Sequence, residues 1–313
     1  MPPFKGGAAS AAQPPCAWRS APPAPLGKGG QVYNLAMQND LHIAFIGGGN
    51  MAAALGAGMA GNICPPGNIH VVDINPDMHK GWLARGATAA LAPDERLHDC
   101  QVWFFAVKPQ FMRDAVKAAA PFLQPGTLVV SVAAGIGGAV LARWLGAPGH
   151  PWTRLVRCMP NTPALVGAGV TGMLALEGVS AADRELAQAM LESVGQVVWV
   201  ADDAAIDAVT ALSGSGPAYV FLFIEALIEG GIQVGLTSAQ ARDLAIGTLS
   251  GAARLAASAD EPPAVLRERV TSKGGTTAAA LKVLNDSDFT GLVGRAMAAA
   301  AQRSRELAQE AGK

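Results

Sequence analysis

The first residues that could do chemistry follow a short apolar run that begins at position 42. After His42–Ile46 come Gly47, Gly49 and Ala52, in the spacing G-x-G-x-x-A. The first glycine permits a tight turn, the second lets the backbone approach a pyrophosphate, and the alanine allows close packing of helix on strand. Unpaired N–H groups at the helix start favour phosphate. The pattern predicts a dinucleotide site, and the alternative is a purely structural turn.

An acidic residue strengthens this prediction. A second predicted strand ends at Asp73, 24 positions after Gly49. In dinucleotide-binding folds a carboxylate here accepts a hydrogen bond from the ribose 2′-OH and favours NAD(H), whereas a 2′-phosphate needs a nearby arginine. The next basic side chain is Lys80. The alternative for Asp73 is an Asx turn or helix cap before Pro76.

A second glycine-rich motif lies between two predicted helices late in the chain. Ser272–Thr277 reads Ser-Lys-Gly-Gly-Thr-Thr. Backbone amides and hydroxyls at a helix start, with Lys273 beside them, are suited to a small anion such as a carboxylate. Two glycines making a helix–helix corner capped by a threonine would explain the same residues. From the residues alone, both interpretations stay open.

Residue types that are absent narrow the reaction class. All five histidines precede the last third of the chain, and no lysine occurs between Ala118 and Ser272. This argues against the histidine–carboxylate pair of 2-hydroxy-acid dehydrogenases and the lysine of 3-hydroxy-acid dehydrogenases. The scattered histidines and cysteines show no metal-ligand spacing, so no metal is expected. A reductase with a weak general acid fits an activated substrate such as a protonated imine.

The elements that must position these motifs alternate between strand and helix up to about residue 201, which predicts a doubly wound parallel sheet of Rossmann type. An all-helical C-terminal region follows. Ser180 and Thr237 begin predicted capping boxes, and Gly235 is placed as a helix-ending residue. The predicted strands are His42–Ile46, Asn68–Val72, Val102–Val107, Thr127–Val132, Thr153–Arg157, Val170–Ala175 and Gln196–Val200. The predicted late helices are Ala204–Ser213, Ala218–Gln233, Ser238–Ala257, Pro263–Val270, Thr276–Leu284 and Phe289–Ala311.

Composition sets the remaining expectations. Residues 1–36 are rich in proline, alanine and glycine, and we expect a disordered tail before a start at Met37, with no secretory signal or transit peptide. We expect a Rossmann domain over 37–201 and a helical domain over 202–313. Lysine and arginine total 23 against 24 acidic residues, a net charge of −1 that argues against nucleic-acid binding. Glycines and prolines interrupt the uncharged runs, so we expect no membrane span and a cytoplasmic protein with free thiols.

Six segments, taken in order, resemble the pyrroline-5-carboxylate reductase family. The resemblance runs from about Leu41 to Ala308. It implies NAD(P)H-dependent reduction of 1-pyrroline-5-carboxylate to L-proline, and a helical domain that intertwines with its copy in a homodimer, with further assembly of dimers in some members. The six segments are Phe45–Met51, Ala106–Pro109, Ser131–Gly135, Met159–Ala164, Leu212–Tyr219 and Val270–Thr277.

The resemblance also implies a role for each candidate site residue. Thr277 would place a hydroxyl beside the ring nitrogen of the substrate as the catalytic residue. The substrate carboxylate would bind Ser272, Gly274, Gly275 and Thr276. The cofactor phosphates would lie on Ile46, Gly47, Gly48, Gly49, Asn50 and Met51. Ala106, Val107, Lys108 and Pro109 would line the nicotinamide ribose, with Asn161 near the nicotinamide.

Two residues depart from the family pattern. Lys273 stands where many relatives have proline. Asp73 is unusual because relatives usually prefer NADPH and carry small or polar residues there, so NADPH, NADH or both are the expected cofactors. The alternatives are a related reductase of another cyclic imine or small keto acid, and a non-catalytic dinucleotide-binding protein on the same scaffold.

Overall fold

The computed structural model describes residues 37–311, and the tail predicted over residues 1–36 lies outside them. Eight strands form a sheet in the order β3-β2-β1-β4-β5-β6-β7-β8. The strands are β1 (Ile43–Ile46), β2 (Ile69–Val72), β3 (Thr88–Ala90), β4 (Val102–Phe105), β5 (Leu128–Ser131), β6 (Leu155–Met159), β7 (Gly169–Ala175) and β8 (Gly195–Trp199). The helices between them are α1 (Asn50–Met59), α2 (Pro76–Leu83), α3 (Pro109–Ala119), α4 (Gly138–Leu145) and α5 (Ala181–Glu192).

The first six strands are parallel, in the order expected of a Rossmann-type sheet. Ile46 at the end of β1 is in register with Val72 of β2 and with Phe105 of β4. The loops after these three strands therefore meet at one edge of the sheet. Because the strand order reverses between β1 and β4, this edge is where such folds bind nucleotides.

The last two strands correct the prediction of an all-parallel sheet. β7 is antiparallel to β6, and β8 is parallel to β7. Only a short connection with a 3-10 turn at Thr162–Val166 separates β6 from β7, whereas a parallel pair needs a crossover of roughly a dozen residues or more. The prediction also missed β3, which is three residues long and poor in strand-favouring side chains.

Two hydrophobic cores cover the two faces of the sheet. Alternate side chains of β1 enter different cores, Ile43 and Phe45 on one face, Ala44 and Ile46 on the other. Buried side chains of α1, α2 and α5 complete the first core, and those of α3 and α4 complete the second. The sheet region, β1 to β8 with helices α1 to α5, thus closes two apolar cores within one copy of the chain.

The helical region follows the sheet. Its helices are α6 (Asp203–Val209), α7 (Gly216–Gln233), α8 (Ser238–Ser258), α9 (Pro263–Arg269), α10 (Thr276–Asp286) and α11 (Phe289–Ala311). Both predicted capping boxes and the positive φ of Gly235 are confirmed. A π-helical turn at Thr210–Gly214 joins α6 to α7. By length and composition alone, Asp203–Gln233 could cross a membrane, and its apolar window is 6% buried.

The helical region is anchored to the sheet region at both of its ends. Arg157 on β6 is buried and forms an ion pair with Asp203 of α6. Within the helical region, Ser304 near the end of α11 donates a hydrogen bond of 2.6 Å to Asp207, which ties α11 to α6. A Cβ at Gly135 would lie 2.8 Å from Leu307 Cβ, so α11 also packs closely against the loop after β5.

Candidate active site

The glycine loop after β1 needs a glycine at its first position. Gly47 has φ +97°, and a Cβ there would lie 2.8 Å from the Ala106 carbonyl carbon and from Val107 Cγ1. Its N–H donates to the Val72 carbonyl at 2.8 Å. The loop after β4 therefore packs directly against the glycine loop, as the prediction that both contact one ligand requires.

Gly49 differs from Gly47 because nothing in the protein occupies the space in front of it. A Cβ at Gly49 would have no heavy atom within 4 Å. Gly49 is the N-cap of α1 and provides no side-chain cap. The first N–H groups of a helix, here those of Asn50 and Met51, have no intrahelical acceptor. The open space and these amides fit a pyrophosphate group.

Asp73 binds the glycine loop. Its Oδ2 accepts a hydrogen bond of 2.7 Å from Gly48 N, and its Oδ1 accepts one of 2.8 Å from Asn75 N. The second bond is an Asx turn, so that alternative is confirmed, while the ribose contact stays a prediction. Gly48 N already has an acceptor. The amides that can bind the phosphates are therefore those of Gly49, Asn50 and Met51.

Trp82, which no sequence motif indicated, holds the same residue, Gly48, through its carbonyl group. The indole Nε1 of this residue, 2% exposed on α2, donates to the Gly48 carbonyl at 3.1 Å. A Cβ at Gly56 of α1 would lie 2.3 Å from the Trp82 ring. The indole therefore locks α2, the glycine loop and α1 together. The available signal was chemical, since a buried tryptophan needs an acceptor for its N–H.

Asn161 braces the junction between the two regions. It is 8% exposed, its Nδ2 donates to the Ser213 carbonyl at 3.1 Å, and its Oδ1 accepts from Val170 N at 2.9 Å. A Cβ at Gly214 would lie 2.4 Å from Met159 Cε, so the glycine at this corner permits the close approach of Met159. The contact of Asn161 with a nicotinamide stays a prediction.

The second glycine motif forms an exposed helix start. Gly274 has φ +74°, and Gly275 is the N-cap of α10 without a side-chain cap. A Cβ at Gly275 would lie 2.4 Å from Ser272 Oγ. Ser272, Lys273, Gly274 and Thr276 are exposed, and Thr277 is half-buried. The hydrogen bonds of this turn run to its own residues and to α9 and α10. Uncapped amides, hydroxyls and a lysine therefore face outward together.

The buried thiols and the buried imidazole of His70 are unsuited to nucleophilic or acid–base roles. Cys64, Cys100 and Cys158 are free and buried, which confirms the expectation of free thiols for these three. Burial raises the pKa of Cys64 to about 11 and that of Cys100 to about 12, and it raises the pKa of Cys158 further. Burial also lowers the pKa of His70, whose Nδ1 lies 2.8 Å from Thr88 Oγ1. These groups are neutral at physiological pH.

Known proteins resemble both regions. A family model described as pyrroline-5-carboxylate reductase dimerisation matches residues 203–307, and one described as NADP oxidoreductase coenzyme F420-dependent matches residues 42–135. The chain is 45% identical to the pyrroline-5-carboxylate reductase of Pseudomonas aeruginosa over 271 residues, covering 86% of this chain and 98% of the relative. It is 40% identical to that of Pisum sativum over 266 residues, covering 85% and 95%.

Solved structures agree with these relatives. A pyrroline-5-carboxylate reductase from Coxiella burnetii is 37% identical, with a TM-score of 0.79 and coverage of 86% of this chain and 99% of that one. A Plasmodium falciparum pyrroline carboxylate reductase with NADP bound is 28% identical, with a TM-score of 0.76 and the same coverage. Since identity of up to 45% extends over nearly the full length of these relatives, the chain belongs to the pyrroline-5-carboxylate reductase family.

Proposed function

We propose that this protein catalyses the NAD(P)H-dependent reduction of 1-pyrroline-5-carboxylate to L-proline, the last step of proline biosynthesis. The sheet region alone supports only dinucleotide binding, which many oxidoreductases share. The observation that carries the narrower proposal is the outward-facing Ser272–Thr277 turn at the start of α10, where uncapped amides and hydroxyls are suited to a carboxylate substrate.

The cofactor would bind along the carboxyl edge of β1, β2 and β4. Amides of Gly49, Asn50 and Met51 would hold the pyrophosphate, and residues 106–109 would line the nicotinamide ribose. The family model that matches the sheet region is described as an NADP oxidoreductase, and the Plasmodium falciparum relative was solved with NADP bound. When bound, the reduced nicotinamide supplies the hydride that ends on the C=N carbon of the substrate.

The substrate would be held by the helical region. The substrate carboxylate would lie against Gly274, Gly275 and Thr276, bound by the amides of Gly274 and Thr276 and by Ser272 Oγ, because Gly275 N already donates to the Ser272 carbonyl. Lys273 adds a positive charge beside it. The Thr277 hydroxyl would hold the ring nitrogen and its proton. Because a protonated imine is already electrophilic, positioning and electrostatic stabilisation suffice, and no strong acid is needed.

A homodimer would complete the site. No residue of α7 is buried, although its sequence is apolar almost all round, and the matching family model over residues 203–307 is a dimerisation model. Exposed apolar surface on this scale marks an interface. The substrate-binding turn of one copy would then face the cofactor of its partner. Free thiols favour a reducing compartment, and we propose the cytoplasm.

Turnover with defined substrates tests this proposal. Purified protein is mixed with 1-pyrroline-5-carboxylate and either NADPH or NADH, loss of the nicotinamide absorbance is followed, and the product is identified as proline. Faster reaction with a six-membered cyclic imine acid or a small keto acid would transfer the function to a related reductase. Cofactor binding without turnover of any of these substrates would indicate a non-catalytic dinucleotide-binding protein.

A further inference from the structure

We propose that Asp73 selects NADH over NADPH, and that its hydrogen bond to the glycine loop fixes its charge where the 2′-group of the adenosine ribose binds. This rests on the proposed function in one respect, because it takes the carboxyl edge of β1, β2 and β4 as the dinucleotide site. Membership of the family does not determine which of the two cofactors binds more tightly.

The position of Asp73 follows from strand register. Ile46 and Val72 end neighbouring strands in register, and Gly47 N donates to the Val72 carbonyl. Asp73 comes next along the chain and contacts Gly48 at 2.7 Å. Its carboxylate therefore lies beside the loop whose next amides fit the pyrophosphate. An acidic residue in this position is the ribose-binding residue of NAD-dependent Rossmann folds.

The carboxylate is held from several directions. Oδ2 binds Gly48 N and Oδ1 binds Asn75 N, which completes an Asx turn. The carbonyl of Gly48 is in turn held by the buried Trp82 indole. A side chain fixed this way cannot easily swing aside to admit a bulky anion. Each carboxylate oxygen accepts more than one hydrogen bond, so both retain capacity for a ribose hydroxyl.

The charges around Asp73 also disfavour a 2′-phosphate. The phosphate of NADPH offers only acceptors and negative charge to a carboxylate. Lys80 on α2 is already bound to Asp77 at 2.8 Å, and His79 donates its Nε2 hydrogen to the Asp73 backbone carbonyl at 2.8 Å. Lys108 follows β4, on the opposite side of β1 from Asp73. From Asp73 to Lys80, the segment after β2 therefore offers a 2′-phosphate two carboxylates and one lysine that is already paired.

Direct binding measurements separate charge from geometry. Dissociation constants for NADH and NADPH are measured by nicotinamide fluorescence in the wild type, in Asp73→Asn and in Asp114→Asn, at one ionic strength and at pH 8. An asparagine at position 73 keeps one acceptor for Gly48 N and removes the charge. The control, Asp114→Asn, removes an exposed charge on α3, outside the segment that carries Asp73 and Lys80. Far-ultraviolet circular dichroism and thermal unfolding verify that each variant is folded.

We expect the wild type to bind NADH more tightly, and Asp73→Asn to shift the ratio of the two constants towards NADPH by at least about tenfold, or ~1.4 kcal/mol. Asp114→Asn should leave the ratio within about twofold, a small fraction of that free energy. Equal wild-type affinities, tighter NADPH binding by the wild type, or an unchanged ratio in Asp73→Asn would overturn the proposal.

A second measurement needs no variant. Protection of the wild type against thermal unfolding by adenosine 5′-monophosphate should exceed protection by adenosine 2′,5′-bisphosphate at equal concentration. The reverse order would refute the role of Asp73 even if the variant failed to fold. Both measurements report binding alone, so they stand apart from the turnover test. Failure to reduce 1-pyrroline-5-carboxylate would contradict the proposed function. The ratio of the NADH and NADPH dissociation constants would still support or refute the role of Asp73.

Discussion

The sheet region and the helical region differ in how far they bury their apolar residues. Leu55 of α1 is 0% exposed, whereas Leu222 of α7 is 67% exposed. In the sheet region, helices on both faces close two cores around the strands. In the helical region, α7, α9 and α10 contain no buried residue. The first region completes its folding within one chain, and the second exposes the kind of surface that another copy must cover.

The two glycine turns also differ, in whether distant parts of the chain hold them in place. The turn after β1 is braced by groups distant in the chain, namely Asp73, Trp82 and Ala106. The Ser272–Thr277 turn is held by contacts within its own segment and faces outward. A rigid turn is suited to holding a cofactor. An exposed turn becomes a binding site when a second surface closes over it.

The largest expected effect is on assembly. Leu222→Glu places a charge in the proposed interface, and we expect the dimer to weaken by about 4 kcal/mol or more, roughly a thousandfold, from lost apolar burial and charge desolvation. Leu83→Glu is the matched control, because Leu83 is similarly exposed, at 55%, but lies on α2 of the sheet region. Sedimentation equilibrium measures both. Equal weakening by the two variants, or none by Leu222→Glu, would contradict the contrast between the regions.

The ion pair between Asp183 and Arg154 tests whether contacts within one copy of the chain stabilise the sheet region. Asp183, with its side chain 7% exposed, binds Arg154 at 2.6 Å. Burial raises the pKa of Asp183, but hydrogen bonds from Arg154 and Ser180 outweigh it and hold the pKa below its ordinary value. The ionised form therefore stabilises the fold above the unfolded pKa of about 3.9, and this contribution is lost as pH falls through the lower folded value.

We expect Asp183→Asn to cost about 2–3 kcal/mol of unfolding free energy at neutral pH, since Arg154 is about a third exposed and solvent screens the pair. The difference from the wild type should shrink by about pH 3. Urea unfolding at both pH values measures it. The control, Glu261→Gln, removes an exposed partner of Arg269 in the helical region and should change neither value measurably. A pH-independent difference would refute the linkage.

Gly49→Ala tests the braced turn. The added methyl group meets no protein atom, so the fold and its unfolding midpoint should not change. It would occupy the space expected for the pyrophosphate, and we expect cofactor affinity to fall by about 1.5–3 kcal/mol, roughly 10- to 150-fold. Fluorescence titration with NADH measures this. Undiminished affinity would remove Gly49 from the cofactor site. The control is Gly81→Ala, because a methyl group added there also meets no protein atom. Gly61 lies in open space too, but its positive φ makes alanine strained at that position.

Thr277→Ala tests the exposed turn. Loss of one hydroxyl at the ring nitrogen should lower kcat by roughly 10- to 100-fold, the equivalent of one hydrogen bond to a charged group. Cofactor affinity should stay unchanged, the reverse of the Gly49→Ala result. Thr277→Ser keeps the hydroxyl and should retain most of the turnover. If kcat is unaffected in the alanine variant, Thr277 has no part in the chemistry.

The elements and motifs could be predicted because their signals are local. Strand–helix alternation located seven of the eight strands, the late helices agree with prediction to within a few residues, and both capping boxes formed as expected. Gly47 and Gly274 adopt positive φ because the turns require it. Such features depend on neighbours a few residues apart, and a sequence displays those neighbours directly.

The tertiary structure decided what depends on residues far apart in the chain. The reversal of β7, the partner of the Trp82 indole and the exposure of α7 belong to this class. The hydrogen bond that Asp73 accepts from Gly48 N also belongs to this class, because the two residues are 25 positions apart. Sequence alone determined that this protein has two glycine turns at helix starts. Folding decided that one is braced within its own chain and that the other faces outward, because buried hydrogen bonds and apolar contacts form between groups that only the fold brings together.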